Sequence, residues 1–179
     1  MKVFPRPSLH RRPLILGKGG FGRQLADWLL DDGWGEGVFL DDNAPGCAGT
    51  LHDYADPALL HPGRPAFVAL GDNELRVKLL QKLAAAGYDT PVYISASASV
   101  SPSAVLEPGC VVLPQAYVGA GAHLGVGCIV NGGAIVDHDA VLGRGVHVAP
   151  GGIVKAGAEV APCRKVDSGE IVRSPWERA

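Results

Sequence analysis

Two segments of this chain carry residue types that can do chemistry. One runs Asn131-Gly132-Gly133-Ala134-Ile135-Val136-Asp137-His138-Asp139 and is followed by Val146-His147-Val148-Ala149-Pro150-Gly151. A histidine changes protonation near neutral pH, and a carboxylate next to it can orient the ring and stabilise its cation. His138 between Asp137 and Asp139 therefore has the makings of a general base, although the same tripeptide also suits an ordinary polar turn. A zinc-hydration site would need three converging imidazoles and an open coordination position. His123, His138 and His147 are spaced 15 and 9 residues apart, which puts no suitable pair on one edge of the chain, so no metal is expected. His123 itself reads as an exposed corner residue without a role.

The second segment is Gly17-Lys18-Gly19-Gly20-Phe21-Gly22. It follows an apolar run, Pro13 to Leu16, and precedes a helical pattern from Arg23 to Asp32, with Leu25, Ala26, Leu29 and Leu30 on one face. A strand, a glycine-rich turn and a helix start can present backbone N–H groups to a phosphate, although a merely tight turn has the same spelling. Gly37 to Leu40 reads as a second strand ending at Asp41-Asp42, where a nucleotide-binding α/β fold would contact the nucleoside. Ala66 to Leu70 reads as a third, ending at Gly71-Asp72-Asn73 before a helix from Glu74 to Ala86. With Pro91 to Ile94, the order is β-α-β-β-α-β, a small parallel unit sized for one nucleotide rather than a dinucleotide.

The elements that must position the histidines follow a six-residue period. From Ile94 to Val172 every sixth residue is aliphatic, fourteen in all, without slip or insertion. Four residues after each aliphatic, from Ala98 to Ala158, ten of eleven residues are Ala, Cys or Gly. A helix repeats at 3.6 residues and a flat strand at 2, so neither fits. One interior plug and one small corner residue per six describe a triangular coil of three short strands, the left-handed parallel β-helix. Three hexapeptides close one coil of 18 residues, so Cys110 and Cys128 should stack as free thiols about 4.8 Å apart. His138 and His147 are half a coil apart and belong on different faces of one chain.

Composition narrows the class. The 179 residues are 47% hydrophobic and 19% charged, with net charge -2, which suits packed domains and not a binder of nucleic-acid backbones. No apolar run approaches the roughly 20 residues that span a bilayer. Residues 1 to 13 are basic and lack an apolar core segment, so they read as a loose lead-in, not a secretory signal, and the expected location is cytoplasmic. The four cysteines form no CxxC pair. Domain limits of 13–92 for the α/β unit and 93–173 for the β-helix follow.

Together these segments resemble the bacterial sialic acid O-acetyltransferase and nucleotide-amino-sugar N-acetyltransferase family, the NeuD- and PglD-like proteins. The resemblance rests on Leu16 to Arg23, Phe39 to Asn43, Leu70 to Arg76 and, most specifically, on Asn131 to Asp139 with His147. It implies an acetyl-CoA-dependent enzyme, a homotrimer built through the β-helix, and a nucleotide-sugar held by the α/β unit. It further implies His138 as general base with Asp139 beside it, where many relatives have Glu. Asn131, His147, Gly133 and Gly151 would meet acetyl-CoA or the reacting groups, and His147 could polarise the thioester carbonyl. Gly17, Gly19, Gly20, Phe21, Asp41, Asp42, Gly71 and Asn73 would meet the nucleotide-sugar. Two departures stand out: Phe21 occupies a position where the family commonly has histidine, and the coils end near Val172. The alternative is a binding or assembly protein with a shortened β-helix that no longer holds coenzyme A.

Overall fold

A computed structural model describes residues 12–58, 63–174 and 176. The basic lead-in, residues 1–11, lies outside them. The chain divides into two compact units with the boundary between Pro91 and Val92. No helix among the described residues is long and apolar enough to cross a membrane.

The first unit is built on three parallel strands, β1 (Leu14–Leu16), β2 (Val38–Leu40) and β3 (Ala66–Val68), in the order β2-β1-β3. β1 is flanked on both sides and fully buried, which is why it reads as an unbroken apolar run. Helix α1 spans Gly20–Asp31 and α2 spans Asn73–Ala85. α1 begins three residues earlier than the periodicity predicts, inside the glycine-rich segment, because Gly19 takes the cap position and hydrogen bonding starts at once. Its buried positions are Gly22, Leu25 and Leu29, whereas Leu30 is exposed, being a full 100° round the helix from Leu29. β3 is also shorter than expected, stopping at Val68. The sixth expected element is not a strand of this sheet. Asp89 makes a single parallel bridge to Pro65, and Tyr93–Ile94 pairs instead with the second unit's own coils.

The second unit is a three-sided parallel β-helix of fourteen two-residue strands. The first face stacks Tyr93–Ile94, Val111–Val112, Ile129–Val130, His147–Val148 and Lys165–Val166. Ser99–Val100, Tyr117–Val118, Ile135–Val136, Ile153–Val154 and Ile171–Val172 make the second face. The third is Val105–Leu106, His123–Leu124, Val141–Leu142 and Glu159–Val160. Every pairing joins residues 18 apart, as Ile129 with His147 and Ile135 with Ile153, so the repeat sets the register throughout. The second residue of each strand is the aliphatic of the six-residue column, and with the small residues from Ala104 to Ala158 it fills the interior. Cys110 and Cys128 lie in that column, fully buried and unbridged, donating to the carbonyls of Gly125 and Gly143 at 3.2 Å each.

The corners obey a rule of their own. From residue 109 to 169 the third corner residue always has left-handed backbone, and at eight of the eleven corners it is glycine, which adopts that region without strain. The exceptions are Gln115, Asp139 and Cys163.

Candidate active site

The corners between the second and third faces hold the first cluster. His138 and Asp139 follow the strand Ile135–Val136, and His138 Nδ1 lies 2.9 Å from Asp139 Oδ2. Asp139 is left-handed at φ +58°, a conformation for which Asp is among the few tolerant side chains. The strain has a use here, since it turns the carboxylate back toward the preceding ring. Hydrogen bonding to Asp139, assisted by the charge of Asp137, raises the His138 pKa above the usual imidazole value. Both side chains are exposed, which leaves the second ring nitrogen open to a substrate.

Neighbouring coils fix the backbone of this dyad. The His138 amide donates to Asp137 Oδ1 at 2.7 Å, and the His138 carbonyl accepts from Gly157 N–H at 3.0 Å. Asp139 N–H reaches the Ala120 carbonyl at 2.8 Å. Beneath, Gly119 lies so near that a β-carbon there would stand 2.5 Å from the His138 nitrogen. A β-carbon at Gly121 would stand 2.4 Å from Asp139 Oδ1. The dyad therefore rests on Gly119, where a β-carbon would meet backbone, and on Gly121, where it would meet the Asp139 carboxylate. Neither was singled out from the sequence, although stepping back 18 residues from Asp137 and Asp139 finds both.

Asn131 and His147 form the second cluster, on the first face and the corner that follows it. Asn131 Oδ1 accepts the Gly132 N–H at 2.8 Å, which fixes the amide so that its Nδ2 faces His147 Nε2 at 3.3 Å. With the amide as donor, Nε2 is the acceptor and the imidazole proton belongs on Nδ1. Gly133 and Gly151 occupy left-handed corner positions on the same edge, with open space where a side chain would be. Within one protomer the structure thus makes two pairs on separate edges. His123 lies on a strand of the third face, not at a corner, 3.1 Å from Glu107. Among the described residues no three His, Cys, Asp or Glu side chains converge as a metal site.

In the α/β unit, all the singled-out residues gather at the carboxyl ends of the three strands, where open α/β sheets bind ligands. Gly17 and Gly22 are packing glycines: a β-carbon would meet the Ala69 carbonyl oxygen at 2.8 Å and the Gly17 oxygen at 1.9 Å, respectively. Gly19, Gly20 and Gly71 face open space, so a ligand can approach their backbone. Phe21 lies half-buried in the first turn of α1, and Asn73 opens α2 behind the capping Asp72, which accepts from Leu75 N–H. Asp41 is already engaged, accepting from the amides of Lys18, Asn43 and Ala44 at 2.7, 2.9 and 2.8 Å. Those bonds, led by Lys18, hold its pKa below the usual carboxylate value. Asp42 accepts from Leu51 N–H at 2.9 Å. The two acids shape the glycine loop and the loop after β2. Lys18, which was not singled out, anchors the same loop through its ammonium to the Pro45 carbonyl at 2.7 Å.

A parallel β-helix with an exposed imidazole at a corner, joined to a glycine-loop α/β unit, is the architecture expected of a hexapeptide-repeat acyltransferase. Comparison with known proteins carries this further. The family model described as the PglD N-terminal domain matches residues 13–83. The acetyltransferase domain of PglB from Neisseria gonorrhoeae, solved in complex with acetyl coenzyme A, is 35% identical. That match has a TM-score of 0.74 and covers 89% of this chain and 86% of that one. Perosamine N-acetyltransferase from Caulobacter crescentus, solved as a variant with CoA and GDP-perosamine, is 28% identical at a TM-score of 0.79, covering 86% and 76%. WeeI from Acinetobacter baumannii, 16% identical over 90% of this chain and 95% of that one, shares the fold at a TM-score of 0.52. The chain belongs to the PglD-like family of hexapeptide-repeat acetyltransferases.

Proposed function

We propose that this acetyltransferase moves the acetyl group of acetyl-CoA onto a nucleotide-linked amino sugar, with His138 as the general base. The carrying observation is the hydrogen bond between His138 Nδ1 and Asp139 Oδ2, which leaves Nε2 as the nitrogen that meets substrate. The molecules bound in the relatives support the pairing: acetyl coenzyme A in one case, CoA and GDP-perosamine in the other.

The thioester is already activated, so the reaction needs one tetrahedral step. The sugar nitrogen attacks the thioester carbonyl to form a carbon–nitrogen bond, and the tetrahedral intermediate then collapses with cleavage of the carbon–sulfur bond. His138 Nε2 takes the proton from nitrogen, Asp139 stabilises the resulting imidazolium, and the proton then neutralises the departing thiolate. The raised pKa of His138 suits a base that must hold that proton for the lifetime of the intermediate. Asn131, His147 and the open edge at Gly133 and Gly151 receive the coenzyme, with a His147 N–H toward the thioester oxygen. The nucleotide part of the acceptor is taken by the loops at Gly19, Gly20, Phe21, Asp41, Asp42, Gly71 and Asn73.

Since one protomer holds the two histidines on separate edges, a homotrimer that sets one chain's His138 edge against its neighbour's His147 edge belongs to the same proposal. An outward apolar ladder supports it. Tyr117, Ile135 and Ile171 are exposed on the second face with Ile153 between them, adjoining the corner that bears His138. A contiguous exposed apolar column is a common mark of an assembly surface. A cytoplasmic location is part of the reading, as both proposed substrates are soluble metabolites.

The test is to incubate the protein with acetyl-CoA and each of a set of UDP-, GDP- and dTDP-linked 4-amino sugars and sialic acid, following thiol release. Thiol release with one nucleotide-linked amino sugar is the expected result. Tight nucleotide-sugar binding without thiol release from any acceptor would overturn the proposal in favour of a binding or assembly role.

A further inference from the structure

The two edges that the proposed trimer brings together each carry a polar group with no protein partner, held at a strained corner. On the His138 edge it is Asp139 Oδ1. The other oxygen of that carboxylate, Oδ2, holds the imidazole at 2.9 Å. Oδ1 leans instead over the coil below, into the place that a side chain at Gly121 would take. No hydrogen bond reaches it among the described residues. On the other edge it is Gln115, at the left-handed position of the corner between the first and second faces, φ +61°. The later corners of that column, Gly133, Gly151 and Gly169, are bare, with open space at each β-position. Glutamine is not among the residues that ease left-handed backbone by bonding locally, as Asp and Asn do. Its side chain is exposed and makes no hydrogen bond among the described residues; only its backbone N–H is bound, to the Ser97 carbonyl at 3.3 Å. Nothing within one protomer therefore offsets the strain of placing glutamine where glycine fits better. Tyr117, two residues on, begins the exposed apolar ladder, so Gln115 stands at the rim of that surface.

The heights of the two groups match. Each coil of 18 residues rises about 4.8 Å, so height along the axis follows residue number. In a ring of identical chains turned about an axis parallel to the coils, equivalent residues lie at one level. Gln115 is a third of a coil before Gly121, so it stands about 1.6 Å from the level of a neighbour's Gly121, over which Asp139 Oδ1 hangs. We infer that Gln115 is a positioning residue that acts in trans, its carboxamide N–H donating to Asp139 Oδ1 of the neighbouring chain. The inference rests on the trimer and general-base reading given above. A carboxylate tied only to the imidazole is free to turn with it. A second donor on the other oxygen fixes the carboxylate plane, and through it the direction in which His138 Nε2 points. The base of one chain is then complete only when its neighbour is in place.

The experiment compares wild type, Gln115→Gly, Asp139→Ala, His138→Ala and a co-expressed mixture of Gln115→Gly with Asp139→Ala, measuring kcat, both KM values, Tm and mass by light scattering. Gln115→Gly relieves the strained corner, so Tm should hold or rise. Its kcat should nevertheless fall on the order of tenfold, the size of one hydrogen bond to a charged group, with both KM values within about twofold. In the mixture, random assembly joins an intact Asp139 to a neighbour's intact Gln115 at roughly a quarter of the sites. Activity per chain should therefore exceed the mean of the two variants assembled separately, which a role confined to one chain has no means to produce. Wild-type kcat in Gln115→Gly overturns the inference, as does a mixture no more active than that mean. Failure of the underlying reading shows elsewhere, in wild type that does not turn over or is monomeric, or in His138→Ala that turns over.

Discussion

Gly119→Ala is a one-carbon change that should disable the enzyme without touching a substrate. The added β-carbon would lie 2.5 Å from the His138 nitrogen, 2.8 Å from the Asp137 carbonyl carbon and 2.9 Å from the His138 α-carbon. Ordinary non-bonded contact begins near about 3.5 Å, so the His138 backbone must retreat by roughly 1 Å. Overpacking of this kind costs about 1–3 kcal/mol of stability. A misplacement of about 1 Å at a reacting group costs on the order of 10²-fold in rate, or about 2.7 kcal/mol of barrier. Gly125→Ala supplies the control, because its β-carbon would crowd backbone equally, 2.7 Å from the Arg144 nitrogen, at a corner between other faces. Neither glycine has left-handed backbone, so packing alone separates the variants from wild type. Thermal unfolding should show similar losses for both, while kcat/KM falls about a hundredfold only in Gly119→Ala. Equal destabilisation with wild-type kcat/KM in Gly119→Ala would refute the claim that the position of His138 governs the reaction.

Three further predictions follow from the same geometry. The base works in its neutral form, so kcat/KM should rise with pH through the raised His138 pKa, above the ordinary value of about 6.5. In Asp139→Asn that acid limb should move to lower pH and the plateau should fall, as read from a pH–rate profile. Cys110 and Cys128 are fully buried, so a thiol reagent should label only Cys47 and Cys163 in the native protein, and all four after unfolding. Ile135→Asp puts a charge in the middle of the apolar ladder on the second face and should lower the assembly mass seen by light scattering, with the β-helix intact by circular dichroism.

The β-helix was legible in the sequence because its constraint is arithmetic. An interior plug every six residues, from Ile94 to Val172, fixes strand, corner and register together, and the pairing of Ile129 with His147 shows the period realised. The α/β unit was legible in outline only. Gly20 to Gly22 join α1 rather than the preceding loop, since glycine carries no side-chain signal of where hydrogen bonding begins. Asp41 and Asp42 read as acids placed to contact a nucleoside, but a carboxylate at a strand end is as well suited to bind neighbouring amides, and both do. The His138–Asp139 pair was readable as adjacent residues, whereas the left-handed turn that joins them was hidden by the rule's exception, an Asp in a glycine column. Gly119 and Gly121 were missed for another reason: each acts through a contact with the next coil, so it stands 18 residues back from Asp137 and Asp139 and outside the local motif.

The most direct test of the central claim is the turnover of His138→Ala measured beside its binding of both substrates. Calorimetry should give wild-type affinity for acetyl-CoA and for the amino-sugar nucleotide, with kcat reduced by roughly 10²- to 10⁴-fold, the range for loss of a general base. Wild-type kcat in His138→Ala, with both substrates bound, would contradict the account.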